Sequence, residues 1–330
     1  MDQWRDGTRS GEDAQSPRRG PTWKHHPARS RKRGRSVSLE SWIEPWRSPG
    51  NLWLLGTAIL VAFSCALPGV FLLLRRMALA GDAITHSVLP GIVAGFLLGG
   101  SLDSPWLLLG AALAGLACVL LIEFLHHTLA LREDAATGIA FTTFFAVGVL
   151  GLRLFASKID LDPDCVIFGS LETVVHGARL SFRSMQVPAA FVSGAGAVVV
   201  GVLAVMVFGR RWTIGAFDPL HARCLGFEDG RARAVLLGWT AMMVTSAFQS
   251  VGAILAVALL VQPGACGLLV ARRVPGVLIV AGLHSVLSAL CGFYLAWFAA
   301  INAASAMVLA GFAWLCIAWG YSLLRGGRGA

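Results

Sequence analysis

The stretch Leu72-Leu73-Leu74-Arg75-Arg76-Met77-Ala78-Leu79-Ala80-Gly81-Asp82-Ala83-Ile84-Thr85-His86-Ser87-Val88-Leu89-Pro90-Gly91 closes one apolar run, turns on two arginines and opens another. Asp82 and His86 stand four residues apart in the second run. A helix there presents both on one face, with Cβ atoms about 5–6 Å apart. A carboxylate and an imidazole so arranged offer half of a site for a divalent transition metal. Inside a bilayer the acid alone costs roughly 2.5–3.5 kcal/mol on insertion scales, so an ionisable pair there is a functional candidate. The same two residues could form an ion pair closing a cytoplasmic helix end, and spacing alone leaves both readings open.

The rest of the chain sets the class. Of its 330 residues 56% are hydrophobic and 14% charged, with a mean hydropathy of +0.70. Soluble domains carry about 25% charged residues, so this is an integral membrane protein. Much of the net charge of +9 sits in the first fifty residues and in short loops. No basic stripe interleaved with aromatics follows, which excludes nucleic acid as a partner and points to membrane orientation. Seven cysteines are scattered without a C-x-x-C spacing, so no disulfide framework is expected. They read as structural, mostly within apolar stretches, with Cys165 alone facing an extracytoplasmic space.

Residues 1–48 are rich in Arg, Pro, Gly and Ser and lack periodic apolar positions; they are expected to form a basic disordered extension. The extension has no apolar core of a secretory signal. Residues 49–330 form the transmembrane domain. A crossing helix needs about 20 apolar residues, and the runs 52–74, 83–100, 105–125, 135–156, 188–209, 234–250, 251–270, 275–297 and 302–324 qualify as candidates. The pair 234–250 and 251–270 also reads as one broken or re-entrant helix, because Gly252 and Pro263-Gly264 interrupt it. The expected fold is therefore an all-α polytopic bundle of about eight to nine transmembrane helices with a short cytoplasmic helix.

Orientation follows from arginine. With Arg75-Arg76 inside, the inside also receives His126-His127-Arg132, then Arg210, Arg211, Arg223, Arg231 and Arg233, then Arg272-Arg273, then Arg325 and Arg328. The outside receives 101–104, a mixed-charge segment 157–187 and two short turns. Nine crossings then leave the basic extension outside; either an extra element holds it inside or the true start lies further downstream, and a misassigned start or a dispensable tail is the favoured reading.

Several chemistries are excluded. No G-x-x-x-x-G-K-[ST] loop, H-E-x-x-H or G-x-S-x-G elbow is present, so the chain carries neither its own nucleotide site nor a covalent nucleophile. One cytoplasmic stretch stands out, Phe217-Asp218-Pro219-Leu220-His221-Ala222-Arg223-Cys224-Leu225-Gly226-Phe227. Asp suits an N-cap, Pro the first turn and Gly the end, giving a short helix between two spans. It reads as an ordinary loop helix or as a docking knob.

The chain resembles the permease family of manganese, zinc and iron ABC importers over residues 52–325. The likeness is carried by Leu72–Gly91, by Arg132-Glu133-Asp134-Ala135-Ala136-Thr137-Gly138-Ile139, by Asp160-Leu161-Asp162-Pro163-Asp164-Cys165-Val166-Ile167-Phe168-Gly169 and by the region from Val251 through Pro263-Gly264-Ala265 to Arg272-Arg273. The resemblance implies a cell (inner) membrane permease subunit, not itself an enzyme, for Mn, Fe or Zn, leaning to Mn or Fe. It implies that Asp82 and His86 ligate the transported ion, and that Asp218, Pro219, His221, Ala222 and Gly226 belong to the coupling helix on a partner ATPase. It further implies an extracytoplasmic solute-binding protein, a second permease copy completing a four-ligand site, and no permanently bound cofactor. Asp160, Asp162 and Asp164 would add negative charge at the outer mouth or simply form a solvated acidic loop. Leu220 stands where the family usually has an acid, and His284 where it seldom has His. The rival functions are a proton-coupled secondary metal transporter without an ATPase, and a membrane hydrolase needing a third ligand that only His284 offers.

Overall fold

The computed structural model describes residues 43–100, 105–155, 171, 179–182 and 185–326. A 3-10 turn at Glu44–Arg47 leads into α1 (Pro49–Leu74), α2 (Ala78–Gly99), α3 (Pro105–Thr128) and α4 (Glu133–Phe155). A strand pair, β1 (Arg179–Phe182) and β2 (Met185–Pro188), runs into α5 (Ala189–Phe217). Then come α6 (Pro219–Cys224), α7 (Asp229–Val270), α8 (Val274–Ala299) and α9 (Ala303–Gly326). Residues 1–42 of the basic extension, and Asp160, Asp162, Asp164 and Cys165, lie outside the described residues.

Seven helices, all but α6 and α7, contain stretches long and apolar enough to cross a membrane. α7 is two helical arms, because Gly252 takes φ 74° and ψ 175°, which no α-helix contains. Packing fixes the direction of each arm. Leu236, Leu237 and Val244 of the first arm sit with Leu67, Phe71 and Leu72 of α1, whereas Val251 sits with Leu54, Leu55 and Ala58. Beyond Gly252 the order inverts: Leu255 shares the Leu54 end of α1, Leu260 lies against Gly69, and Gly264 against Gly69, Val70 and Leu73. The first arm therefore runs antiparallel to α1 and the second parallel to it. Of the readings open at Gly252, the packing selects a reversal, so α7 adds a rising and a returning arm, the latter containing the shorter apolar helix Leu255–Val270, to the seven spans among the described residues.

This arrangement gathers the ends of the apolar runs that carry Arg75-Arg76, His126-His127, Arg210-Arg211, Arg231-Arg233 and Arg272-Arg273 at one end of the bundle, the cytoplasmic end by the positive-inside rule. The opposite end holds a core of Leu54, Ala58, Leu171, Val251, Leu255, Phe293 and Met307. β1 and β2 pair antiparallel from Arg179↔Pro188 to Phe182↔Met185, a small departure from an all-helical chain. Two four-residue strands carry too little alternation to announce themselves in sequence.

Helices approach closely where side chains are missing. A Cβ on Gly91 of α2 would collide with the carbonyl oxygen of Gly110 on α3, and the reverse holds for Gly110. Small residues at membrane helix crossings allow this contact. Gly110→Ala is expected to cost about 1–3 kcal/mol through overpacking, seen as a lower thermal unfolding midpoint of the detergent-purified protein. Gly138→Ala, whose Cβ would meet nothing within 4 Å, should not lower it.

Candidate metal and docking sites

The α2 helix opens after a tight turn in which the Arg76 N–H donates to Leu73 O and the Met77 N–H to Leu72 O. Its polar residues divide into two groups. Thr85 Oγ1 donates to Gly81 O at 2.8 Å and Ser87 Oγ to Ile84 O at 2.7 Å, so these buried hydroxyls are satisfied by their own helix. Asp82 and His86 are not consumed in that way. His86 Nε2 lies 3.4 Å from Asp82 Oδ1, with side chains 28% and 41% exposed respectively. At 1.5 Å per residue they stand about 6 and 12 Å above the cytoplasmic start of α2. Two phenyl rings of α4 wall the imidazole: Phe141 and Phe145 meet it edge-on at centroid distances of 5.2 and 5.7 Å.

Among the described residues no group of three or more His, Cys, Asp or Glu could hold a metal ion. His284 is therefore not joined to Asp82 and His86. It is buried in α8, with neither ring nitrogen hydrogen-bonded among the described residues, and flanks Gly311 together with Gln262 and Ser288. With Cys266, Trp314 and Tyr321 it lines a cavity of about 280 Å³ between the second arm of α7, α8 and α9.

At the cytoplasmic end α6 has the form its sequence predicts. Asp218 Oδ1 accepts the His221 N–H at 2.8 Å, capping the helix that Pro219 opens. Gly226 ends it at φ 79°, and the Phe227 N–H donates back to Ala222 O at 2.9 Å. That is the glycine-terminated cap, with the left-handed residue just past the helix. Ala222 is buried, whereas Phe217 and Leu220 are 71% and 73% exposed. Two large apolar side chains thus stand open at the junction of α5 and α6. The Arg211 guanidinium lies over the Phe208 and Phe227 rings at 5.9 and 5.5 Å, tying the loop back to α5.

Beside α6 lies a cluster that sequence reasoning missed. Arg233, in the first turns of α7, donates from Nε to Glu123 Oε1 at 2.8 Å and from Nη2 to Oε2 at 3.0 Å. Its Nη1 lies 3.8 Å from Glu133 Oε2, and His127 Nε2 lies 3.1 Å from Glu123 Oε2. The signal was Glu123, the one acid within the apolar run 105–125.

Seven helices long and apolar enough to cross a membrane among the described residues, with a capped short helix between two of the helices, define a multi-pass membrane protein. Residues 52–320 match the ABC 3 transport family, and the chain belongs to it. It is 36% identical over 255 residues to the manganese transport system membrane protein MntD of Bacillus subtilis, covering 77% of this chain and 86% of that one. It is 38% identical over 207 residues to the zinc transport system membrane protein TroD of Treponema pallidum, covering 62% and 56%. In architecture it is similar to PsaBC from Streptococcus pneumoniae, solved in complex with Fab. The TM-score is 0.69 at 26% identity, covering 87% of this chain and 99% of that one.

Asp218→Ala removes a cap worth about 1 kcal/mol. Limited trypsin digestion followed by mass spectrometry should show cleavage after Arg223 accelerated about fivefold, while cleavage elsewhere is unchanged.

Proposed function

We propose that this chain is the membrane-spanning permease subunit of an ATP-driven importer for a divalent transition metal, with Asp82 and His86 as ligands of the ion in transit. The observation that carries it is the pair itself: two ligand types suited to Mn, Fe and Zn, 3.4 Å apart and left open on a membrane helix whose other polar side chains are satisfied. The membership in the ABC 3 transport family and the transport systems named for its relatives support the same reading.

Two ligands hold a metal weakly. A second copy facing the first across a homodimer would bring the count to four, two oxygens and two nitrogens, in keeping with transient rather than permanent ligation. The ion is cargo, delivered from an extracytoplasmic solute-binding protein. The donor set does not select among Mn, Fe and Zn.

ATP hydrolysis belongs to a partner, because no phosphate loop exists in the chain. The helix α6 is the coupling element. Asp218, Pro219, Ala222 and Gly226 set its form, His221 lies on its exposed side, and Leu220 and Phe217 present the apolar contact. The exposed Leu220 makes this contact hydrophobic.

Asp82→Asn and His86→Ala should each reduce uptake of metal, followed by elemental analysis of cells, to background while membrane insertion and assembly with the ATPase persist. Wild-type uptake in either variant rejects the assignment. Leu220→Asp should weaken co-purification of the ATPase at least tenfold. Uptake by the permease alone in proteoliposomes under a proton gradient would instead establish the secondary-transporter reading.

A further inference from the structure

Contacts between the two helices that flank α6, then with α3 and α4, lead along one helix to His86. First, the two helices flanking α6 are tied together: Trp212 Nε1–H of α5 donates to Ala232 O of α7 at 2.9 Å. The Trp212 indole also stacks on Trp239 at 5.0 Å and 3°. Second, Arg233, the residue after Ala232, grips Glu123 of α3 with both arms of its fork and reaches Glu133, the first residue of α4. Arg233 is 8% exposed and Glu123 14%, so this fork is shielded from water and salt.

Third, α4 itself carries the contact upward. Glu133, Thr137, Phe141 and Phe145 recur every four residues, the spacing of one helical ridge. Thr137 is buried, and Phe141 and Phe145 stack on each other at 5.9 Å and 12°. Both rings then abut His86 edge-on. From Glu133 to Phe141 the helix climbs about 12 Å as one rigid element.

We propose that α4 is the link through which displacement of α6 reorients His86, with Arg233 as the positioning residue at its base and Phe141 and Phe145 at its tip. This rests on the function proposed above. Displacement at α6 carries the first turn of α7 with it. The Arg233 fork passes that displacement to the α3–α4 hairpin, and the two phenyl rings pass it to the imidazole. The rings meet the imidazole of the pair, so the link acts first on His86.

The test uses the intact transporter, permease with its ATPase, in proteoliposomes, with Mn²⁺ uptake and ATP hydrolysis read in parallel. Phe141→Ala combined with Phe145→Ala should lower uptake per ATP at least tenfold with hydrolysis within twofold of wild type. Phe141→Tyr and Phe145→Tyr keep the rings and should hold uptake per ATP within twofold. Arg233→Lys keeps the charge without the fork, and Glu133→Gln removes the contact to α4 without stranding a buried charge; each should lower uptake per ATP severalfold. Unchanged uptake per ATP in the double alanine variant and in Glu133→Gln overturns the proposal. So does a parallel fall of uptake, hydrolysis and assembled complex, which marks a merely structural role. An Asp82→Asn arm separates the two levels: normal uptake there overturns the ligand assignment itself, whereas background uptake there with normal α4 variants overturns only the link.

Discussion

Within a bilayer no water is at hand to bond an open peptide group, so each helix must close its own backbone and any break must be enclosed by protein. Gly252 is that break. Its reversal lies at the level of a core drawn from α1, both arms of α7, α8 and α9. The consequence reaches the other end of the molecule. Because the first arm rises and the second returns, the start of α7 stands beside α6 and the end of α7 brings Arg272-Arg273 back to the basic face.

The same constraint governs the polar residues of α2. A buried hydroxyl can return its proton to a carbonyl one turn back, as Thr85 and Ser87 do. The Asp82 carboxylate has no proton to return in this way, and it and the His86 imidazole are left partly open 3.4 Å apart. Under the proposed function a single copy supplies only two ligands of a coordination sphere. Incompleteness of this kind suits a cargo that must leave again, whereas a structural metal would be enclosed by four protein ligands.

Much of this was legible in the sequence, and for definite reasons. Apolar runs of bilayer length bounded by arginine gave the passes, since length and charge are local properties. Asp218-Pro219 and Gly226 gave α6, since caps are local chemistry. The Asp82–His86 approach followed from four-residue spacing within one helix. Arg233 and Glu123 are 110 residues apart, and no local pattern pairs them. The ring contacts of Phe141 and Phe145 with His86 depend on how α4 lies against α2, which apolar composition does not specify. Gly252 was read as a break, but whether the chain bent or turned back depended on which stretch of α1 each arm met.

The turn between α1 and α2 is only three residues long, and Arg76 holds it at φ 62°, a backbone setting that leaves little slack for a residue with a side chain. It is a natural pivot. Rocking α2 about it by about 10° would sweep Asp82 through about 1 Å and His86 through about 2 Å, from their heights along the helix. The His86 end thus moves about twice as far as the Asp82 end, a difference set by lever length along one rigid helix.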